Sequence, residues 1–131
     1  MIFLLWIFKQ NPFGYRLLQK KPCLVGFVYR PPSSHTDWCE YFELQVDKIS
    51  NEENDIYILG DINRDLLNDQ IKVNWMDFIA WLVMEQLVNE PTRVTSTSKM
   101  LIDNIYANTK ENVLEVMVPK IGISDHFAIF L

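Results

Sequence analysis

The stretch at residues 56–63, Ile-Tyr-Ile-Leu-Gly-Asp-Ile-Asn, constrains the fold of this chain more than any other. Its first four residues are apolar and three of them are β-branched or aromatic, which predicts a strand buried on both faces. Gly60 ends the run, and Asp61 and Asn63 follow with one residue between them. Polar groups that emerge at the end of a rigid strand are a common way to build an active site. Gly, Asp and Asn also favour turns, so this stretch alone predicts either a site or a polar turn.

Composition predicts a folded chain of moderate acidity. The 131 residues are 49% hydrophobic and 22% charged, which is typical of a globular protein. The net charge is −5, although residues 1–30 contain five basic residues and no acidic one. Such a chain is not an obvious nucleic-acid binder, because phosphate contacts normally need a basic surface. A phosphodiester substrate is still compatible with this charge if carboxylates hold a divalent cation that meets the phosphate.

The N-terminal residues and the cysteines bear on localisation. Residues 1–8 are apolar throughout but far too few to span a membrane, and they lack the basic leader and cleavage site of a signal peptide. We therefore predict a strand there, with a weak signal sequence as the less favoured alternative. Cys23 and Cys39 do not have the spacing of a metal site, and a scattered pair favours a reducing compartment. An intracellular protein, nuclear or cytoplasmic, without membrane association is expected.

Helices and strands alternate early in the chain, and strands dominate late. Residues 23–29 predict a strand that ends before Pro31, and Ser34 with Asp37 has the spacing of a capping box. Asn74 is the predicted N-cap of a second helix. Further strands are predicted at 100–107, 113–118 and 123–130. The residues expected to face a core at helical spacing are Trp38, Tyr41, Phe42, Val46 and Ile49 in the first helix and Trp75, Phe78, Ile79, Leu82 and Val83 in the second. This order predicts a layered α/β or α+β sandwich.

Polar residues recur at the ends of several of these strands. Asp61 and Asn63 follow one strand, Asp103 interrupts another, Asp125 and His126 open a third, and Tyr29 closes a fourth. Each has an ordinary structural explanation when taken alone, since buried polar groups are usually just hydrogen-bonded. Together they form a hydrolytic set, because carboxylates bind a hard cation and a histidine can meet a phosphate. In such a set, Asp61 with Asn63 could position an attacking water.

Five short motifs carry a resemblance to a known family. They are Val28-Tyr29-Arg30-Pro31-Pro32, Leu59-Gly60-Asp61-Ile62-Asn63, Pro91-Thr92-Arg93, Leu101-Ile102-Asp103-Asn104-Ile105 and Ser124-Asp125-His126. In this order and spacing they resemble the endonuclease/exonuclease/phosphatase superfamily, in particular the endonuclease domain of non-LTR retrotransposons. The resemblance runs from about residue 24 to the end. It implies two β-sheets packed together with helices outside, a four-layer α/β/β/α sandwich.

The resemblance also implies roles for individual residues. Asp61 matches the residue that orients or deprotonates the attacking water, and Asn63 is its partner in the same site. Tyr29 matches a hydroxyl that binds the scissile phosphate. His126 matches a phosphate-contacting histidine, and Asp103 matches the carboxylate that orients it. The position of Asp125 implies a carboxylate close to, or ligating, the divalent metal. Members of this family typically use Mg²⁺, or Mn²⁺, and DNA is the implied substrate.

The chain departs from the family pattern before Tyr29. Family members carry there an asparagine, a metal-binding glutamate and a further histidine, whereas residues 1–28 contain no Asp, Glu or His. We therefore expect residues 1–131 to form a single partial domain that lacks the N-terminal strands. The expected activity is phosphodiester hydrolysis, most simply as a retroelement DNA endonuclease, with no nicking above background for this chain alone. An inactive remnant that only binds a partner or nucleic acid, and a phosphatase of the same superfamily, are the alternatives. No particular protein partner is indicated.

Overall fold

The computed structural model of the protein describes residues 23–50, 55–111 and 113–131. The strand predicted at residues 1–8 lies outside them. Within these ranges, two helices and six strands follow one another as β1 (Cys23–Tyr29), α1 (Trp38–Ser50), β2 (Asp55–Asp61), α2 (Asp69–Trp81), β3 (Glu85–Gln86), β4 (Arg93–Val94), β5 (Lys99–Met100) and β6 (Asp103–Ala107). No helix in the described part of the chain is long and apolar enough to cross a membrane.

Four of these strands form one mixed sheet in the order β1-β2-β6-β3, and β4 pairs with β5 separately. β1 and β2 are parallel, so the chain returns from the end of one to the start of the other through α1. β6 is antiparallel to both of its neighbours. The register places Tyr29 opposite Asp61, and Asp61 opposite Asp103. These three residues therefore occupy one rung of the ladder and face the same side of the sheet.

Both helices pack on the opposite face of the sheet. Alternate residues of the strands point to this face, and they meet the apolar stripes of α1 and α2. The shared core contains Leu24, Val28, Ile56, Ile58 and Tyr106 from the strands, and Trp38, Phe42, Val46, Trp75 and Ile79 from the helices. The expectation that both tryptophan-bearing faces pack onto sheet is therefore confirmed. Tyr41 and Val83 are wrong as core residues, because Tyr41 points to solvent and Val83, 79% exposed, lies beyond the end of α2.

The C-terminal segment covers the second face over β2 and β6. A smaller core forms there from Tyr57, Leu87, Val88, Ile105 and Ala107, with Val113, Val116, Val118 and Ile129 packed against it. The strands predicted at 113–118 and 123–130 are wrong as continuous elements, since only single bridges form, Met117 with Phe130 and His126 with Arg93. Some of their backbone N–H groups donate instead within tight turns, such as Val113 N–H to the Lys110 carbonyl at 3.0 Å and Ile123 N–H to the Ile121 carbonyl at 2.8 Å. The expected α+β class is confirmed.

Helix starts differ from the predicted positions. Asn68, not Asn74, caps α2, because its side-chain oxygen accepts the Ile71 N–H at 3.1 Å. Asn74 lies inside the helix, where it accepts a hydrogen bond from Gln70. Ser34 does not cap α1, which begins at Trp38. The Ser34 hydroxyl instead donates to the Pro31 carbonyl at 2.7 Å and closes the turn after β1. The residues 101–102 separate β5 from β6, so the strand predicted at 100–107 is broken there.

Candidate active site

The close approach of β1 and β2 at Gly60 sets the geometry of the site. Gly60 has φ +154°, and a Cβ built on it would lie 1.7 Å from the Val28 carbonyl oxygen. No side chain fits at this position without separating the two strands. The glycine therefore lets β2 continue to Asp61, its last residue, while β1 reaches Tyr29 beside it. Tyr29 is 47% exposed, so its side chain is accessible from solvent at this end of the sheet.

A tight turn after β2 holds the Asp61 carboxylate. Its Oδ1 accepts the Asn63 backbone N–H at 2.8 Å, and Asn63 adopts the left-handed conformation with φ 47°. Asn is among the residues that reach this conformation at low cost. The Asn63 side chain donates to the Arg30 carbonyl at 2.9 Å, and the Arg30 N–H donates to the Asp61 carbonyl at 2.8 Å. The two interpretations of this stretch, a candidate site and a polar turn, are therefore compatible. The turn fixes the orientation of the Asp61 carboxylate.

Asp103, at the start of the neighbouring strand β6, forms a pair with His126 of the C-terminal segment. The His126 Nδ1 lies 3.1 Å from Asp103 Oδ2 and 3.4 Å from Oδ1. Asp103 is the more buried of the two side chains, 15% exposed against 37% for His126. With Nδ1 held by a carboxylate, the imidazole has a fixed orientation and its Nε2 is left to meet a ligand. The structure therefore brings these two residues together as the resemblance implied.

Thr92 connects the two halves of the site, and the sequence assigned it no role of its own. Its buried hydroxyl oxygen accepts the Ile102 and Asp103 backbone N–H groups at 3.2 and 2.9 Å. Its carbonyl accepts the Phe127 N–H at 2.7 Å, next to His126. The Thr92 side chain therefore fixes the start of β6, and the Thr92 carbonyl fixes the segment that contains His126. The Pro-Thr-Arg motif was the available signal, but its contacts depend on three segments that are distant in sequence.

Asp61, Asp103 and His126 form one cluster. Each offers a ligand atom, and these atoms all lie within 4.8 Å of one another. Burial raises the pKa of Asp61 above its ordinary value, and the negative charge of Asp103 adds to the rise. The hydrogen bond from Asn63 and the neighbouring His126 oppose it. A raised pKa makes the Asp61 carboxylate a stronger proton acceptor once it is ionised.

The structure does not bring Asp125 into this cluster. Its Oδ2 accepts a hydrogen bond from Arg93 Nε at 2.8 Å, and both side chains are well exposed. That hydrogen bond is the main reason why the pKa of Asp125 lies below its usual value. The role of Asp125 as a metal ligand therefore stays a prediction, as do the roles assigned to the other site residues.

The donor set of the cluster fits a hard divalent cation. Two carboxylates, Asp61 and Asp103, face each other across one rung, and an imidazole stands beside them. Mg²⁺ in proteins is commonly held by one or two carboxylates and keeps several waters. An acidic site with this composition is therefore present, and Asp61 and Asp103 are the residues that would hold the ion.

Comparison with known proteins identifies the fold. No protein-family model matches the chain, and no curated protein matches it. Among solved structures, the endonuclease domain of TRAS1, a telomere-specific non-LTR retrotransposon, aligns over 97% of this chain with a TM-score of 0.71 and 14% identity. The two therefore share a fold. An endonuclease/exonuclease/phosphatase family protein from Leptotrichia buccalis C-1013-b aligns over 86% of this chain, with a TM-score of 0.60 and 16% identity. The chain spans 61% of the first structure and 49% of the second.

Proposed function

We propose that this protein is a divalent-metal-dependent phosphodiester hydrolase that acts on DNA, as the endonuclease of a retroelement. The observation that carries the proposal is the convergence of Asp61, Asp103 and His126, which lie up to 65 positions apart in sequence, on one end of one sheet. Convergence of two carboxylates and an oriented imidazole is unusual for residues that serve only to stabilise a fold. The similarity to a retrotransposon endonuclease domain supports DNA as the substrate.

Each residue has a part that its position supports. The Asp61 Oδ1 is held by Asn63, so its Oδ2 faces the water that attacks phosphorus and can accept its proton. His126, oriented through Nδ1 by Asp103, presents Nε2 to a phosphate oxygen. Tyr29 offers a hydroxyl from the next strand to the same phosphate. A divalent cation held by Asp61 and Asp103 would supply positive charge that neutralises the phosphate oxygens.

Plasmid nicking tests the proposal. Because residues 1–28 provide no acidic or histidine side chain, we expect no nicking above background when plasmid is in excess. With protein in excess and Mg²⁺ or Mn²⁺ present, we expect slow conversion of supercoiled to open-circular plasmid. The Asp61→Ala and His126→Ala variants should lose it, whereas Asp77→Ala, which removes an exposed carboxylate from α2, should keep it. Complete absence of nicking would contradict catalysis by this chain, and nicking that survives both site variants would point to a contaminant.

Metal binding is measurable without catalysis. Mn²⁺ broadens the NMR signals of nearby groups, and the chain has two histidines, His126 in the site and the exposed His35. Substoichiometric Mn²⁺ should broaden the His126 ring signals, and Asp61→Ala should remove that effect. His35 serves as the internal control, because its broadening should not change in the variant. Equal behaviour of both rings in the parent protein and the variant would contradict a metal site at Asp61.

A further inference from the structure

Two arginines beside the site have donors without acceptors. Arg30 follows β1 and is only 9% exposed, while Arg64 follows Asn63 and is partly buried. The Nε of each is buried and has no hydrogen-bond partner in the part of the chain that the structure describes. Among the described residues, neither guanidinium lies within salt-bridge distance of a carboxylate. Buried donors are almost always paired in native proteins, so the two unpaired Nε–H groups need an explanation.

Stacking on tryptophan explains where the guanidinium groups lie but not why their donors are unpaired. The Arg30 Cζ lies 5.8 Å from the centroid of the Trp38 ring, and the Arg64 Cζ lies 5.1 Å from that of Trp75. The two indoles are themselves 6.3 Å apart. A ring face attracts the cation but accepts no in-plane N–H. The tryptophan rings therefore fix both guanidinium planes and leave the two Nε–H groups without an acceptor among the described residues.

The two positive charges also act on each other. Burial lowers the pKa of Arg30, and the charge of Arg64 lowers it further. Placing like charges in partial burial is unfavourable, and an anion between or beside them would reverse that penalty. A phosphate fits a planar guanidinium well, since two parallel N–H groups meet two oxygens.

Both arginines are attached to the turn that holds Asp61. The Arg30 N–H donates to the Asp61 carbonyl, and its own carbonyl accepts from the Asn63 side chain. We propose that Arg30 and Arg64 form a phosphate subsite that takes a second backbone phosphodiester of a nucleic acid bound at Asp61. The choice of nucleic acid rests on the proposed function, whereas the anion site does not. Because the chain has a net charge of −5, a local pair of positive charges would be needed to hold a polyanion near Asp61, Asp103 and His126.

NMR of the arginine Nε–H groups tests the anion site without any need for catalysis. The chain has four arginines, so their Nε signals can be assigned one by one with single variants. A thymidine oligonucleotide added in EDTA should shift the Nε signals of Arg30 and Arg64, with little change at Arg93, which is already tied to Asp125. No shift at either arginine, or an equal response to phosphatidylglycerol vesicles at the same salt, would overturn the proposal.

Binding of a labelled DNA duplex in EDTA gives the second measurement. Arg64→Gln should weaken binding about tenfold and lower the slope of log affinity against log salt by about 1. Lys48→Gln removes the same charge at the far end of α1 and should change the affinity less than about twofold. Arg64→Lys should recover the salt slope but only part of the affinity, because it lacks the planar fork. Equal effects of Arg64→Gln and Lys48→Gln would refute the subsite. Shifts at Arg30 and Arg64 in a protein that fails to nick would leave the subsite standing and refute the hydrolase.

Discussion

Replacing Thr92 by valine removes one hydroxyl oxygen and keeps the size and β-branched shape of the side chain. In the native protein that oxygen accepts two backbone N–H groups, those of Ile102 and Asp103. Thr92 is fully buried, so water cannot take its place at the Ile102 N–H. A buried donor left without an acceptor costs about 1–3 kcal/mol. We expect nearer the upper part of that range for Ile102 and about 1 kcal/mol for the partly exposed Asp103.

The expected loss for Thr92→Val is thus about 3–4 kcal/mol of the free energy of unfolding. A domain of this kind has about 5–15 kcal/mol in total, so the variant should still fold. Urea denaturation followed by tryptophan fluorescence measures the loss, and an unchanged slope against urea would show that the compactness of both states is preserved. The His126 ring signals supply a local readout, because Asp103 should lose its fixed position.

Thr92→Ser is the matched control. Serine keeps the acceptor oxygen and loses one methyl group, which should cost about 1 kcal/mol. Valine should therefore be clearly worse than serine, both in stability and in the order of the His126 ring. If the two variants lost the same free energy, packing of the methyl group would explain the effect, and the role assigned to the Thr92 hydroxyl would be refuted.

Three further predictions concern the sheet, the carboxylate and the core. Gly60→Ala should lower the urea midpoint severely or prevent folding, whereas Gly122→Ala, with nothing within 4 Å of an added Cβ, should leave it unchanged. Because the folded pKa of Asp61 is raised, its ionised form costs stability above that pKa, and the free energy of unfolding rises as pH falls through it. Asp61→Asn should therefore be more stable than the parent at pH about 7 without metal, an advantage that vanishes below about pH 4; equal stability at the higher pH would contradict this. Trp75→Phe deprives the buried Tyr106 hydroxyl of its donor at 2.8 Å and should cost at least about 1–3 kcal/mol, and a double variant with Tyr106→Phe should show non-additivity.

The buried strands and helix faces could be predicted because their signal is local. The apolar run at residues 56–59 lies within β2, and the predicted strand at 23–29 coincides with β1. In these two segments the apolar run in the sequence coincides with the observed strand, so the local sequence is enough to predict it. The prediction of Asn74 as the helix cap was wrong because Asn74 stands directly before the apolar stripe that begins at Trp75, whereas the actual cap, Asn68, is followed by Asp69 and Gln70. The decision depends on where the chain leaves the turn after Asp61, which is a tertiary feature.

The candidate site was predictable only as a set of residues. The motifs with Asp61, Asp103 and His126 could be found because each is short and contiguous, and a known family orders them. The contacts of Thr92 and the stacked positions of Arg30 and Arg64 join segments far apart in sequence. A periodic pattern in the sequence cannot predict contacts between such distant segments. The prediction of C-terminal strands was wrong for a related reason. The apolar residues there pack over Ile105 and Tyr57 without forming regular strands.

Tyr29, Asp61 and Asp103 lie on one rung of the sheet, so their relative positions last only as long as the hydrogen bonds between the strands. A strand can slip only in whole residues, and one step turns every side chain to the other face. A single-residue deletion inside β2 or β6 would therefore remove the alignment of the two carboxylates, while an insertion in a loop away from Asn63, Thr92 and His126 would leave it intact. Amide hydrogen exchange at the centre of the sheet should accordingly report the lifetime of the assembled site, because the two can open only together.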